Sequence, residues 1–205
     1  MNKFFTSLVM ISLLVIQTPP FCMAIVAPQE VPSEDYAVYG AVIEKLFAGN
    51  KVTFDTQSPV KLLVIRNRTL AESHPLLKNQ EDRWEYTINQ LSPISQDTIA
   101  SYKSQNKESR LLKDSFNLKI RHVLVEDDSL NRTLKEGRWE EFYGQYPDSG
   151  GFISFSHVGF NSEMNQALVY FEHWCQRLCG SGIYVLLDKD KDGWKVTKLH
   201  RAWIS

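Results

Sequence analysis

Alternation between apolar and polar residues dominates the last third of the chain. The stretches GFISFSHVGF, QALVYFEHW and GWKVTKLH alternate, and GIYVLL is continuously apolar. A side-chain period of two is typical of β-strands, and the links NSEMN, CQRLCGSG and DKDKDG are typical of turns. The pattern therefore predicts an antiparallel meander.

Earlier segments show the spacing of amphipathic helices. The clearest follows Ser33, which can cap a helix, and has its apolar positions at Tyr36, Tyr39, Ile43, Leu46 and Phe47. Further helices are predicted in residues 74–91, after Ser95 and in GRWEEFYGQYP, whereas residues 60–65 and 117–128 have strand character. Helices followed by strands predict an α+β fold, with an antiparallel C-terminal sheet (a meander) packed against N-terminal and central helices.

Residues 1–24 have the three parts of a secretory signal peptide: a basic start, an apolar core and a small residue, Ala24, at the cut. The apolar core is shorter than the roughly 20 residues that span a bilayer, although a retained N-terminal anchor is the alternative. Residues 25–34 are predicted to be a mobile leader, and residues 35–205 a single α+β domain. We expect an exported protein, in the periplasm or outside the cell.

The charge balance narrows the choice of partners. The chain has 23 Lys and Arg against 24 Asp and Glu, and a net charge of −1. Binding to nucleic acid requires a basic surface that neutralises phosphates, and this composition has no basic excess. We expect no membrane span in the mature chain and no cofactor. The expected partner is an unidentified small molecule or protein.

Cys175 and Cys179 are expected to form a disulfide, because they flank a tight loop between two strands of an exported chain. Cys22 would leave with the signal peptide. A zinc site is the first alternative, but it needs three or four ligands and only His173 is nearby. A redox pair is the second, but it prefers C-x-x-C at the start of a helix.

The turn DKDKDG imitates part of a calcium-binding loop. Asp188, Asp190 and Asp192 match its first ligand positions, but Leu199 stands where a bidentate glutamate is needed, and the flanking segments are strands. A solvated turn is the favoured interpretation, and a calcium ion held by the three carboxylates is the alternative.

Catalytic signatures are scarce in this sequence. It has no nucleophile elbow, no H-E-x-x-H motif and no glycine-rich phosphate loop. His157, His173 and Glu172 lie on strands that we expect to be neighbours, and they are the only acid–base candidates. They define the alternative function, a hydrolase-type enzyme with a His/Glu site on the C-terminal sheet.

Both faces of QALVYFEHW are largely apolar. One face carries Leu168, Tyr170, Glu172 and Trp174, and the other carries Ala167, Val169, Phe171 and His173. Both faces need cover, from helices on one side and from a helix, a ligand or a partner on the other. Tyr170, Trp174 and Tyr184 are therefore candidate ligand-binding residues. The leading hypothesis is a non-enzymatic binding or interaction module.

The order S-x-V-G-F-N, A-L-V-Y, C-x3-C-G-x-G and G-W-K-V resembles the C-terminal pattern of small exported bacterial proteins of unknown function, to which GRWEEFYGQYP also belongs. An early amphipathic helix and a meander ending in DGWKV are similar to NTF2-like folds, from which residues 67–115 depart. Neither resemblance implies an activity. Asn67 and Asn131 begin NRT motifs, which are glycosylated only in sources that modify secreted proteins.

Overall fold

The structure, a computed structural model, describes residues 30–47, 60–74, 77 and 81–205. These residues form five α-helices, which are N-terminal and central, and a seven-stranded sheet, which is mostly C-terminal. The prediction of an α+β fold is confirmed. The predicted signal peptide and residues 25–29 of the predicted leader lie outside the described residues.

The elements follow one another in this order. The helices are α1 Ser33–Phe47, α2 Trp84–Leu91, α3 Gln96–Gln105, α4 Asp127–Glu136 and α5 Trp139–Gln145, with a 3-10 turn, Glu81–Arg83, before α2. The strands are β1 Leu62–Arg66, β2 Arg121–Val125, β3 Ser149–Phe155, β4 Gly159–Phe160, β5 Gln166–Gln176, β6 Cys179–Asp190 and β7 Gly193–Ile204.

The strand order is β2-β1-β3-β5-β6-β7, and β4 also pairs with β5. Strands β3, β5, β6 and β7 are joined by antiparallel pairing, as the alternating pattern predicts. The sheet as a whole is mixed, because β1 runs parallel to both β2 and β3. The stretch GFISFSHVGF forms two strands, since the chain leaves β3 after Phe155 and enters β4 at Gly159.

Local sequence explains several helix ends. Ser95 caps α3 as expected, because its side-chain oxygen accepts a hydrogen bond from the Thr98 amide at 3.3 Å. Helix α1 begins at Ser33 and has Glu34 and Asp35 in its first turn, where carboxylates favour the helix dipole. Gly137 ends α4 with φ at 67°, a left-handed conformation that glycine adopts without strain.

Helices cover both faces of the sheet. The face beneath α1, here called the α1 face, holds one cluster that includes Ile65, Phe155, Val169, Phe171 and Val185. The opposite face, here called the four-helix face, holds two clusters. One packs against α2 and α3, and the other packs against α4 and α5.

The end of the predicted leader contacts the domain. Val31 is buried, and its amide donates a hydrogen bond to the Leu111 carbonyl at 3.4 Å. Glu30 forms an isolated parallel bridge with Leu111. The chain is therefore attached to the domain from residue 30 onward.

Candidate functional site

A row of polar side chains separates the two apolar clusters of the four-helix face. Ser154 of β3 pairs with Glu172 of β5, and Arg66 of β1 follows Ile65, which pairs with Ile153. Arg66, Ser154 and Glu172 are all buried. Burial of charged groups is costly without compensating partners, so each charge in this row needs a hydrogen bond or an opposite charge.

Glu172 is held by two aromatic donors. The Tyr170 hydroxyl donates to one carboxylate oxygen at 2.9 Å, and Trp174 Nε1 donates to the other at 3.2 Å. Both residues lie two positions away in β5 and therefore share its face. Burial raises the pKa of Glu172 to about 7, although the two hydrogen bonds oppose that shift. The carboxyl group can therefore exchange a proton near neutral pH.

Gly182 makes room for the second layer of this network. Gly182 lies on β6, opposite Glu172 of β5 and Trp203 of β7. Trp203 Nε1 donates to the Tyr170 hydroxyl at 2.6 Å, and a Cβ atom at position 182 would clash with both atoms of that hydrogen bond. Only glycine allows the two rings to meet at this point.

Arg66 supplies the buried positive charge. Its Nε donates to Ser154 Oγ at 3.0 Å, and its Nη1 donates to Asn131 Oδ1 at 3.1 Å and to the Asp127 carboxylate. Asp127 and Asn131 come from α4, so this helix anchors the arginine. The Nη2 atom is buried and has no hydrogen-bond partner within the described part of the chain.

His74 is a partly exposed neighbour of the polar row. It follows β1, its side chain is 23% exposed, and its Nδ1 lies 3.7 Å from a Glu172 oxygen. Burial, with a further contribution from the Arg66 charge, lowers the pKa of His74 to about 4. The imidazole is therefore neutral at pH 7. Sequence reasoning missed both His74 and Arg66, because neither lies in a recognisable motif.

The structure does not bring together the three predicted acid–base residues. His173 follows Glu172 in β5 and so lies on the α1 face, where Phe47 packs against its ring and Gly150 O lies 2.7 Å from its Nε2. His157 lies between β3 and β4, with its Nδ1 2.8 Å from an Asp35 oxygen. Of the three residues, only Glu172 belongs to the polar row.

The predicted ligand-binding residues lie beneath helices. Tyr170 and Tyr184 are buried with ring centroids 4.8 Å apart, and Tyr102 of α3 lies 6.1 Å from the Tyr184 ring. Trp174 is partly buried and donates its indole hydrogen bond to Glu172. Helices thus provide the cover that the second apolar face of β5 required.

The three carboxylates at the β6–β7 turn each contact another side chain of the protein, and two of them share Lys195. Asp190 accepts from Lys195 Nζ at 2.5 Å, and Asp188 accepts from Gln166 Nε2 at 3.2 Å. Lys195 Nζ also lies 3.5 Å from Asp192. The described residues contain no group of three or more His, Cys, Asp or Glu side chains placed to hold a metal ion.

Cys175 and Cys179 lie at disulfide-bonding distance, with their Cα atoms 5.2 Å apart. Cys175 is near the end of β5, and Cys179 begins β6. The two cysteines therefore face each other across the hairpin loop, as their spacing predicts. This loop lies at the end of the sheet that also holds Gly182.

A groove of about 910 Å³ runs along the outer side of α1. The described part of α1 that lines it includes the small residues Ala37, Gly40 and Ala41 as well as larger ones such as Ile43 and Phe47. The opposite wall includes Leu118 and Ile120. A Cβ atom at Gly40 would meet nothing within 4 Å, so the space above it is open. Sequence reasoning missed this groove, although the helical spacing of its small residues was a signal that could have revealed it.

The rim of the α1 groove is mainly basic. Lys61, Lys119 and Arg121 line it, and Glu44 is the single carboxylate among the described lining residues. Lys119 lies 3.9 Å from Glu44, and Arg121 lies 3.5 Å from Asp148 outside the groove. The groove therefore combines an apolar floor with an excess of positive charge.

Comparison of the chain with protein-family models, with curated proteins and with solved structures finds no match in any of the three. Among the described residues, no helix is long and apolar enough to cross a bilayer.

Proposed function

We propose that this protein is an exported, non-enzymatic binding protein whose ligand occupies the α1 groove. The observation that carries the proposal is the set of small residues on the outer side of α1, which leave an open apolar space beside a basic rim. A volume of about 910 Å³ is that of an ordinary small-molecule site. The predicted signal peptide and the Cys175–Cys179 pair support export to an oxidising compartment.

The groove favours a ligand with an apolar body and a negatively charged group. Ala37, Ala41 and Ile120 offer apolar contact, and each buried methylene contributes about 0.8 kcal/mol. Lys61 and Arg121 at the rim favour a carboxylate or a similar anion. A long-chain carboxylate combines both properties.

The lining of the groove favours binding rather than turnover. The described lining residues include Ser33, Ser115 and Tyr36 but no histidine or cysteine. A serine or tyrosine nucleophile requires a base within hydrogen-bond reach, and Glu44, the one lining carboxylate, lies beside Lys119. The described residues that line the groove therefore suit recognition of a ligand, and none of them is an activated nucleophile.

Titration with cis-parinaric acid, a fluorescent long-chain carboxylate, tests this function. Gly40→Leu fills the groove and should weaken binding at least about tenfold, which corresponds to about 1.4 kcal/mol. Gly144→Leu is the matched control, because Gly144 is also helical and an added Cβ atom there would also meet nothing within 4 Å, but it lies in α5 away from the groove. Equal affinities of wild type and Gly40→Leu would contradict the proposal.

The polar row supports a second candidate function, an acid–base enzyme. The observation that favours it is Glu172. Its pKa is raised to about 7, and one of its carboxylate oxygens lies 3.7 Å from Nδ1 of the partly exposed His74. Hydrolysis of a chromogenic ester that is lost in Glu172→Gln, and kept in the exposed control Glu140→Gln, would support the enzyme. Unchanged hydrolysis in Glu172→Gln would exclude this site.

A further inference from the structure

Strand β7 forms one end of the described sheet. Its 12 residues pair with β6 along one edge, and no described strand pairs with the other. An unpaired edge presents backbone N–H and C=O groups that a further strand can bind. Trp194, near the start of the strand, also lines the α1 groove, whereas the described lining residues include none from Lys198 to Ile204.

Exposed apolar side chains concentrate around β7. Leu199 is 45% exposed and Ile204 is 70% exposed, and both belong to the strand. Tyr86 of α2 is 59% exposed, and its ring lies 5.5 Å from that of His200. Leu178, at the hairpin loop, is 83% exposed beside the end of β7. Such a concentration at an open sheet edge is typical of an interaction surface.

All charged residues of β7 are basic. It carries Lys195, Lys198 and Arg201 and no acidic residue. Lys195 interacts with Asp190 and Asp192, and Lys198 donates to the Ser92 carbonyl, but Arg201 is exposed and forms no contact with a described acidic group. The charge that remains available for a partner is therefore positive.

We propose that β7 binds an extended acidic segment of another protein, which adds a strand to the sheet. Two irregularities in the β6–β7 pairing leave Lys198–Arg201 as a regular stretch between them. Leu199 and Arg201 are two positions apart in that stretch and share a face. The partner strand places an apolar side chain opposite Leu199 and a carboxylate opposite Arg201.

A second copy of this chain fits the edge less well. Two β7 strands paired with each other would bring Lys195, Lys198 and Arg201 of one copy against those of the other. Like charges on paired strands destabilise the pairing. An acidic partner removes that repulsion, and lysines on an edge strand are a known means of preventing self-association.

A blocked peptide of about eight residues with the repeat Val-Thr-Glu-Thr, which places Val and Glu in turn along one face, tests the proposal on the full chain, with binding measured by fluorescence anisotropy. Two comparison peptides test charge and backbone hydrogen bonding separately. One carries Lys in place of Glu, and the other is N-methylated at each backbone amide. Wild type should bind the acidic peptide at least about tenfold more tightly than either comparison peptide.

Variants of β7 test whether the acidic peptide binds at this edge. Arg201→Glu should weaken binding of the acidic peptide by about tenfold, and Arg201→Gln should have an intermediate effect. Lys107→Glu, an equal charge reversal on the turn after α3, should leave binding unchanged. Thermal melting of each variant establishes that it is folded before its binding is interpreted.

Three outcomes would overturn the proposal. They are no binding of the acidic peptide to wild type, equal binding of the N-methylated peptide, and equal binding to Arg201→Glu. Sedimentation of wild type as a dimer that Leu199→Asp converts to monomer would also overturn it, because a second copy would then occupy the edge. None of these outcomes bears on ligand binding in the α1 groove.

Discussion

Glu172 and His173 are consecutive residues of β5, both are buried, and they occupy opposite faces of the sheet. Burial raises the pKa of Glu172 to about 7 and lowers the pKa of His173 to about 4. In both cases the cause is the same, since the interior disfavours the charged form. The two residues therefore give the stability of the fold opposite dependences on pH.

The contribution of Glu172 to the free energy of unfolding should be lost as pH rises. Below pH 4.5 the carboxyl group is protonated in both the folded and the unfolded chain; between pH 4.5 and about 7 only the folded chain keeps the proton. Wild type should therefore lose about 3 kcal/mol relative to Glu172→Gln across this window. Urea unfolding of both proteins at pH 4.5, 6 and 8 measures the difference, and Glu140→Gln is the exposed control. A difference that does not vary with pH would mean that folding does not raise the pKa of Glu172.

The contribution of His173 to the free energy of unfolding should be lost as pH falls. Its ordinary pKa is 6.5, so above that value the imidazole is neutral in both states, and between 6.5 and about 4 only the unfolded chain takes up the proton. Wild type should lose about 3 kcal/mol relative to His173→Gln over this interval. Chemical unfolding at pH 7 and pH 4.5 tests this. A variant with the same pH dependence as wild type would show that folding does not lower the pKa of His173.

Gly182→Ala should destabilise the protein by about 1–3 kcal/mol, because the added methyl group enters the space where Trp203 meets Tyr170. Gly144→Ala is the control, and it should stabilise by about 0.5–1 kcal/mol because it replaces a helical glycine in open space. Thermal and urea unfolding of both variants measures the contrast. Equal stability of Gly182→Ala and wild type would mean that the Trp203–Tyr170 contact is dispensable.

Cys175→Ser should cost about 2 kcal/mol, because a disulfide that closes so short a loop removes little entropy from the unfolded chain. The variant should stay folded, since the long β5–β6 pairing does not depend on the loop. Unfolding under non-reducing conditions measures the loss, and peptide mapping establishes the bond in wild type. Two free thiols in the purified protein would contradict the disulfide.

Local pattern predicted most of the C-terminal half. The alternation in β5 and β7 indicated the meander, and the two apolar faces of β5 required cover on both sides. Helix α4 was not predicted, because Leu130 and Leu134 are its only apolar side chains. Both pack against the core, and the rest of DDSLNRTLKE is polar. Two apolar positions four residues apart are compatible with a helix, but they are too few to assign one in a largely polar segment.

The polar row could not be predicted, because it depends on contacts between distant segments. His74 reaches Glu172 only after β1 has inserted beside β3, and β1 is held by parallel pairing that no local pattern specifies. The burial of Arg66 likewise depends on Asp127 at the start of α4. Strand order and helix placement, rather than residue spacing, assemble these charges.

The central claim is that the α1 groove binds an anionic molecule with an apolar body. Native mass spectrometry of the protein purified from its own cells tests it most directly, with Gly40→Leu and Gly144→Leu purified in parallel. The account predicts one bound molecule of this class on wild type and on Gly144→Leu, and none on Gly40→Leu. A ligand retained equally by Gly40→Leu, or wild type that carries none and takes up no long-chain carboxylate when it is added, would contradict the claim.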